Sequence, residues 1–277
     1  ALFEYNRSLF PEKKVHTHRA DGISFLESCA DGCFDWIYLD PSRRGGGRRS
    51  VDIRYCTPDI TKVLALLLQK GRNVCVKLAP AFEATEMFRL TARCHRAIYV
   101  SVAGECKELL CFFGRGTCSD PRREAHVVNE TGESVYSAAA PAVSGRESLV
   151  PCAEPGGWLC EPDPAIIRAG LSHVCAGSFG LHCINPRIDY LSGAHDPGPG
   201  FPGRRFRIIE AFPWNRRTVR TYLNNNGIDA ANISQRGFGV PVEKIRSMLS
   251  LRDGGETYLF FTRSGDNEKL CIHCRRP

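Results

Sequence analysis

Phe34-Asp35-Trp36-Ile37-Tyr38-Leu39-Asp40-Pro41-Ser42-Arg43-Arg44 decides how the first part of the chain is read. Aromatic and branched side chains favour a pleated strand, and Asp-Pro ends it in a turn. Working outward, Val15–His18 reads as a short strand, followed by Asp21-Gly22 and a helix from Ile23 to Ala30. On the other side, Pro58 suits the first turn of a helix running to Lys70. Asn73–Leu78 is apolar enough for a strand buried on both faces. Glu83–Arg93 reads as a helix, and Arg96–Val102 and Cys106–Phe113 as strands joined through Ala103-Gly104-Glu105. Alternating strands and helices predict an α/β fold with a mostly parallel sheet, closed here by a terminal hairpin.

The remainder is coarser. Residues 114–150, rich in Ser, Ala, Pro and Gly, read as an irregular or hairpin connection. Trp158–Cys160, a helix from Pro164 to Cys175, and Leu181–Tyr190 form a small α+β unit. Ser192–Gly203, dense in Gly and Pro, reads as a linker. The last block predicts strand Phe206–Phe212, helix Arg216–Asn225, strand Ile233–Phe238, helix Val242–Leu249, and strands Thr257–Arg263 and Lys269–Cys274. Asn215 is a good cap for the first of these helices and Pro241 a good first residue for the second.

Of 277 residues, 43% are apolar and 24% charged, which excludes a disordered chain. No apolar run approaches the length of a membrane span, and Ala1–Arg7 lacks the pattern of a signal peptide. The 14 cysteines fall inside apolar runs rather than at scaffold spacing, so a reducing, cytoplasmic setting is expected. Cys271-Ile272-His273-Cys274 lacks a second ligand pair for zinc, and no metal is expected. Lys and Arg outnumber Asp and Glu 18 to 13 in residues 1–118 and 14 to 7 in 204–277, but are outnumbered 5 to 10 in 119–203. A basic end beside an acidic middle points to an anionic partner such as nucleic acid, the alternative being a solvated basic face.

Asp40-Pro41-Ser42-Arg43 sits at the carboxyl end of a strand, where open α/β sheets bind ligands. It resembles motif IV of class I S-adenosylmethionine-dependent methyltransferases; a plain strand-ending turn is the competing reading. With Val76-Lys77-Leu78-Ala79-Pro80 and Gly104-Glu105-Cys106-Lys107-Glu108, the stretch resembles bacterial methyltransferases that carry a THUMP-like domain. The resemblance implies a partial Rossmann-like methyltransferase domain at 1–118, a connector and ferredoxin-like domain at 119–203, and a THUMP-like domain at 204–277. It implies S-adenosylmethionine as cofactor and RNA as substrate, with tRNA one candidate. Asp40, Pro41, Ser42 and Arg43 would hold the acceptor, and Asp21 and Gly22 would meet the cofactor's adenine. Lys77 and Glu105 are secondary candidates, or a structural ion pair.

Three departures qualify the resemblance. No strand–GxG–helix loop precedes Val15, so the chain reads as a piece lacking the first part of a catalytic domain, expected to bind the cofactor weakly or not at all and to be inactive alone. Strand order 3-2-1-4-5-7-6, implied by the resemblance, then puts Phe34–Leu39 at a sheet edge or against Val15–His18. Ser42 and Arg43 stand where amine methyltransferases carry a stacking aromatic, and Leu78 stands where uracil-5-methyltransferases carry a nucleophilic Cys.

For RNA, Arg44, Arg48 and Arg49 form a cationic loop with Gly45–Gly47. Arg204, Arg205, Arg207, Arg216, Arg217, Arg220 and Arg236 are expected to share one basic face. The competing function is a non-catalytic RNA-binding protein on a degenerate Rossmann-like scaffold.

Overall fold

A computed structural model describes residues 15–42, 53–142 and 154–277. Its first sheet holds β1 (Phe34–Leu39), β2 (Gly71–Leu78), β3 (Cys94–Val102), β4 (Glu105–Gly114), β5 (Arg122–Val128) and β6 (Ser134–Pro141), in the order β1-β2-β4-β3-β5-β6. Pairing makes β1, β2, β3 and β5 run one way, with β4 and β6 reversed. Among the described residues β1 lies at the edge of the sheet, the first of the two arrangements expected. Val15–His18 forms no strand; it is exposed, and the His18 ring stands 4.6 Å from that of Phe25.

Helices α1 (Gly22–Ser28), α2 (Ile60–Lys70) and α3 (Ala84–Leu90) accompany this sheet. α2 starts two residues after Pro58, because the Asp59 carboxylate caps it, accepting from the Thr61 amide at 3.0 Å and hydroxyl at 2.6 Å. Its buried Ile60, Leu67 and Leu68 belong to one core with Val74, Val76 and Leu78 of β2, alternate residues on a single face. β1's other face leaves Trp36 and Tyr38 exposed.

Residues 122–141 are a hairpin that extends the first sheet rather than a loose connection. Asn129 shapes its turn, its side-chain oxygen accepting from the Thr131 and Glu133 amides.

The second sheet contains β7 (Trp158–Pro162), β8 (His182–Asn185), β9 (Ile188–Gly193), β10 (Gly203–Pro213), β11 (Ala230–Gln235), β12 (Arg252–Arg263) and β13 (Lys269–Arg275). Its order is β11-β12-β13-β10-β7-β9-β8. The stretch expected as a ferredoxin-like domain therefore shares a sheet with the C-terminal block, because β7 pairs directly with β10. The sheet curls until its two ends meet. Tyr190 Oη and Ser234 Oγ share a 2.8 Å hydrogen bond, and Gly237, at φ +67°, sits where a Cβ would come within 2.4 Å of Ile188. Inside the curl, Tyr190, Phe206, Phe260 and Ile272 are fully buried, with Phe206 and Phe260 ring centroids 4.8 Å apart. Helices α6 (Arg216–Asn225) and α7 (Val242–Leu249) cover the outside, burying Val219, Leu223, Ile245 and Leu249 against Leu259, Phe261 and Cys271.

Between the sheets lie α4 (Pro164–Arg168) and α5 (Ser172–Phe179). A single helix was expected here, but Gly170 at φ +66° breaks it. Ala165, Ile166, Cys175 and Ala176 of these helices share a core with Tyr99, Ala125 and Ala138 of the first sheet and with Cys160 and Leu191 of the second.

Candidate functional site

β1 delivers Asp40 to the end of the first sheet. Leu39 pairs with Val76, so the next residues on each strand, Asp40 and Lys77, leave the ladder side by side. Lys77 Nζ donates to Asp40 at 2.7 Å and lies 3.7 Å from Glu108 on β4. The hydrogen bond it donates to Asp40 raises the pKa of Lys77, so the ammonium stays charged. Lys77 thus pairs with Asp40 rather than Glu105; Glu105 pairs instead with Lys107, two residues along its own strand. Pro41 is buried. Ser42 is tied by its backbone to Thr57, donating at 2.9 Å and accepting at 2.8 Å. The turn is therefore held at both ends, with the Asp40 side chain about half exposed between them. Arg43, Arg44, Arg48 and Arg49 lie outside the described residues.

Asp21 caps α1. Its Oδ1 accepts from the amides of Ile23 at 3.1 Å and Ser24 at 2.9 Å, and the bond from Ser24 lowers its pKa. Open space surrounds the Gly22 Cα where a side chain would project. The Asp21 carboxylate is exposed to solvent.

The arginines of the last block do not share one face. Alternation along β10 sends Arg204 to the inside of the curl and Arg205 and Arg207 to the outside. Arg205 pairs with Asp196 and lies over the Trp158 ring, while Arg207 is exposed. Arg216, Arg217 and Arg220 are exposed on α6, and Arg216 Nε donates to the Met248 carbonyl at the end of α7, 3.0 Å away.

Arg204 and Arg236 do converge. Both grip Glu161 of β7, Arg204 through Nε at 2.7 Å and through Nη2, Arg236 through Nη2 at 2.6 Å. Arg236 also lies over the Tyr190 ring, 5.1 Å from its centroid. Glu161 went unnoticed in sequence, although its place in Trp158-Leu159-Cys160-Glu161-Pro162 was a signal: an acid inside an apolar strand needs a cation. Two residues on, Asp163 caps α4 through the Ala165 amide at 2.8 Å and accepts from Ser101 Oγ of β3 at 3.0 Å; burial raises its pKa.

At the C-terminal end, strand alternation separates Cys271 from Cys274, one in the core under α6 and α7, the other inside the curl. His273 is buried, its Nδ1 bonded to Tyr222 Oη at 2.8 Å. Among the described residues no group of His, Cys, Asp and Glu could hold a metal ion, and no helix is long and apolar enough to cross a membrane.

The order β1-β2-β4-β3, with β4 reversed, agrees with the 4-5-7-6 end of the strand order that the methyltransferase resemblance implies. Residues 203–276 match the THUMP domain-like family. Over 233 residues the chain is 30% identical to two Mycobacterium tuberculosis proteins, from strains CDC 1551 / Oshkosh and ATCC 25618 / H37Rv. Each is described as an "uncharacterized S-adenosylmethionine-dependent methyltransferase", and the match covers 83% of this chain and 60% of each relative. The crystal structure of a "putative methyltransferase" from Porphyromonas gingivalis W83 superposes with a TM-score of 0.74 at 25% identity, over 87% of this chain and 59% of that one. The chain is thus similar to these proteins, carries a THUMP-like domain, and spans about three-fifths of their length.

Proposed function

We propose that this chain forms the acceptor-side half of an S-adenosylmethionine-dependent RNA methyltransferase. The observation that carries the reading is Asp40, fixed by Lys77 at 2.7 Å on a turn pinned at Ser42, at the carboxyl end of a methyltransferase-type sheet. The relatives' described cofactor and the THUMP-like end support it. S-adenosylmethionine supplies the methyl group when bound. Asp21 would accept from its adenine amino group beside the open approach at Gly22. Asp40 would accept from the N–H or O–H of the acceptor and hold the attacking atom in line, Lys77 keeping the carboxylate aimed. Positioning of this kind supplies most of the rate in such a displacement. Pro41, Ser42 and Arg43 would shape the acceptor side, and residues 204–277 would hold the RNA, connected through 119–203.

The test is transfer of tritiated methyl from S-adenosylmethionine to bulk tRNA by the complete enzyme of which this chain is proposed to be the acceptor-side half. Asp40→Asn is expected to cut incorporation at least tenfold without changing RNA retention on a filter. RNA retention with no incorporation would favour the non-catalytic alternative, and equal incorporation by Asp40→Asn would remove Asp40 from the site.

A further inference from the structure

A cleft of about 600 Å³ separates the two sheets. One wall is the first sheet's end: Gly104 of the β3–β4 turn, Asn129 of the β5–β6 turn and Val135 of β6. The other is the mouth of the curled sheet, where Phe201 and Pro202 stand beside Arg204 and Arg236. Glu161 and Asp163 lie at the back.

The cleft opens at the end of the first sheet that also carries Asp40. β1, β2, β3 and β5 run parallel, so their carboxyl ends, Leu39, Leu78, Val102 and Val128, lie along one rim. β1 and β5 are four strand spacings apart in the order β1-β2-β4-β3-β5, about 19 Å at ~4.8 Å each.

The charges are sorted by depth. Glu161 and Asp163 are 5% and 3% exposed, whereas the side chains of Arg204 and Arg236 are 58% and 30% exposed. A molecule entering the cleft therefore meets guanidinium groups, with the carboxylates behind them. Glu161 fixes both guanidiniums before any ligand arrives, which lowers the ordering cost of binding an anion. Guanidiniums match phosphate oxygens in geometry. Val135 and Phe201 give the walls apolar surface against which a base or ribose can pack.

We propose that this cleft is an RNA-backbone site, with Arg204 and Arg236 contacting phosphate, through which the substrate strand reaches the Asp40 turn along the sheet's rim. The proposal rests on the RNA reading above and adds the route.

Val135 tests it without touching the ion pairs, because its side chain stands exposed on the wall. Bulk tRNA is titrated in a filter assay at several salt concentrations against wild type, Val135→Glu and Val135→Lys. Val135→Glu should weaken binding roughly tenfold by repelling phosphate, while Val135→Lys should keep or strengthen it and steepen the salt slope by about one. Equal affinities for the two variants would overturn the cleft site and leave the RNA reading standing, provided wild type binds. Absence of tRNA binding by wild type would overturn both. Arg236→Gln, checked for folding by circular dichroism, should flatten the salt slope by about one; an unchanged slope counts against the proposal.

Discussion

Glu161 and its two arginines predict an asymmetry in stability. The carboxylate is buried at 5% exposure, but its partners reach water, Arg204 more than Arg236. In Arg204→Ala/Arg236→Ala, Glu161 remains inside the curl with neither cation. An uncompensated buried charge costs about 3–5 kcal/mol. In Glu161→Gln, the guanidiniums turn toward solvent and the amide keeps the volume filled, so the loss should be near 1 kcal/mol, as for a solvent-screened pair. The arginine double variant should therefore be less stable than Glu161→Gln by at least 2 kcal/mol. A urea slope of about 3 kcal/mol per molar, the upper end expected for a chain of this size, turns its loss into a midpoint shift of roughly 1–2 M. Adding Glu161→Gln to the double variant should restore part of the loss, because the stranded charge is gone. Urea titration followed by circular dichroism measures all three. Equal midpoints for the double variant and Glu161→Gln would refute the depth-sorted picture of this cluster.

Three further outcomes follow from the same packing. Gly237→Ala places a methyl where Ile188 stands and strains a φ of +67°, so it should cost about 1–3 kcal/mol in thermal unfolding, with partial recovery in Gly237→Ala/Ile188→Ala. Burial lowers the pKa of His273, so between its folded value and 6.5 the unfolded chain takes up a proton that the folded chain refuses. Stability conferred by neutral His273 is then present above pH 6.5 and lost as pH falls below it; a His273→Leu variant should show a shallower acid-side decline in urea midpoint than wild type. Lys77→Met should change stability by less than about 1 kcal/mol, since both partners are partly exposed, yet reduce methyl transfer markedly; a large stability loss would make Lys77 structural.

What the sequence disclosed was local. Phe34–Leu39 and Asn73–Leu78 announced themselves through dense apolar and aromatic side chains, and Asp40-Pro41 through the turn it dictates. Asn215 named the start of α6, where its side chain accepts from the Arg217 and Thr218 amides. The long-range partnerships were hidden. Nothing near Glu161 in sequence identifies Arg204 and Arg236, 43 and 75 positions away, as its partners. Lys77 looked like a partner for Glu105 because both flank the same strand ends; the register that sets Lys77 beside Asp40 is a property of the β1–β2 ladder. Val15–His18 met the composition of a strand but is not one, because composition alone does not fix pairing. The single basic face failed for a reason that period-2 alternation supplies: consecutive arginines on β10 must point to opposite sides.

The curl has a consequence for where this protein can be divided. The THUMP-like match begins at residue 203, the first residue of β10. β10 is an interior strand, bonded to β13 on one side and to β7 on the other. A cut at 203 turns its β7 side into a bare row of amides and carbonyls and strips Leu159 and Tyr190 from around Phe206 and Phe260. The segment that sequence comparison recognises as one heritable piece is thus smaller than the piece that can close its own core. That larger piece begins at β7, and the helices that follow it, α4 and α5, share their core with the first sheet.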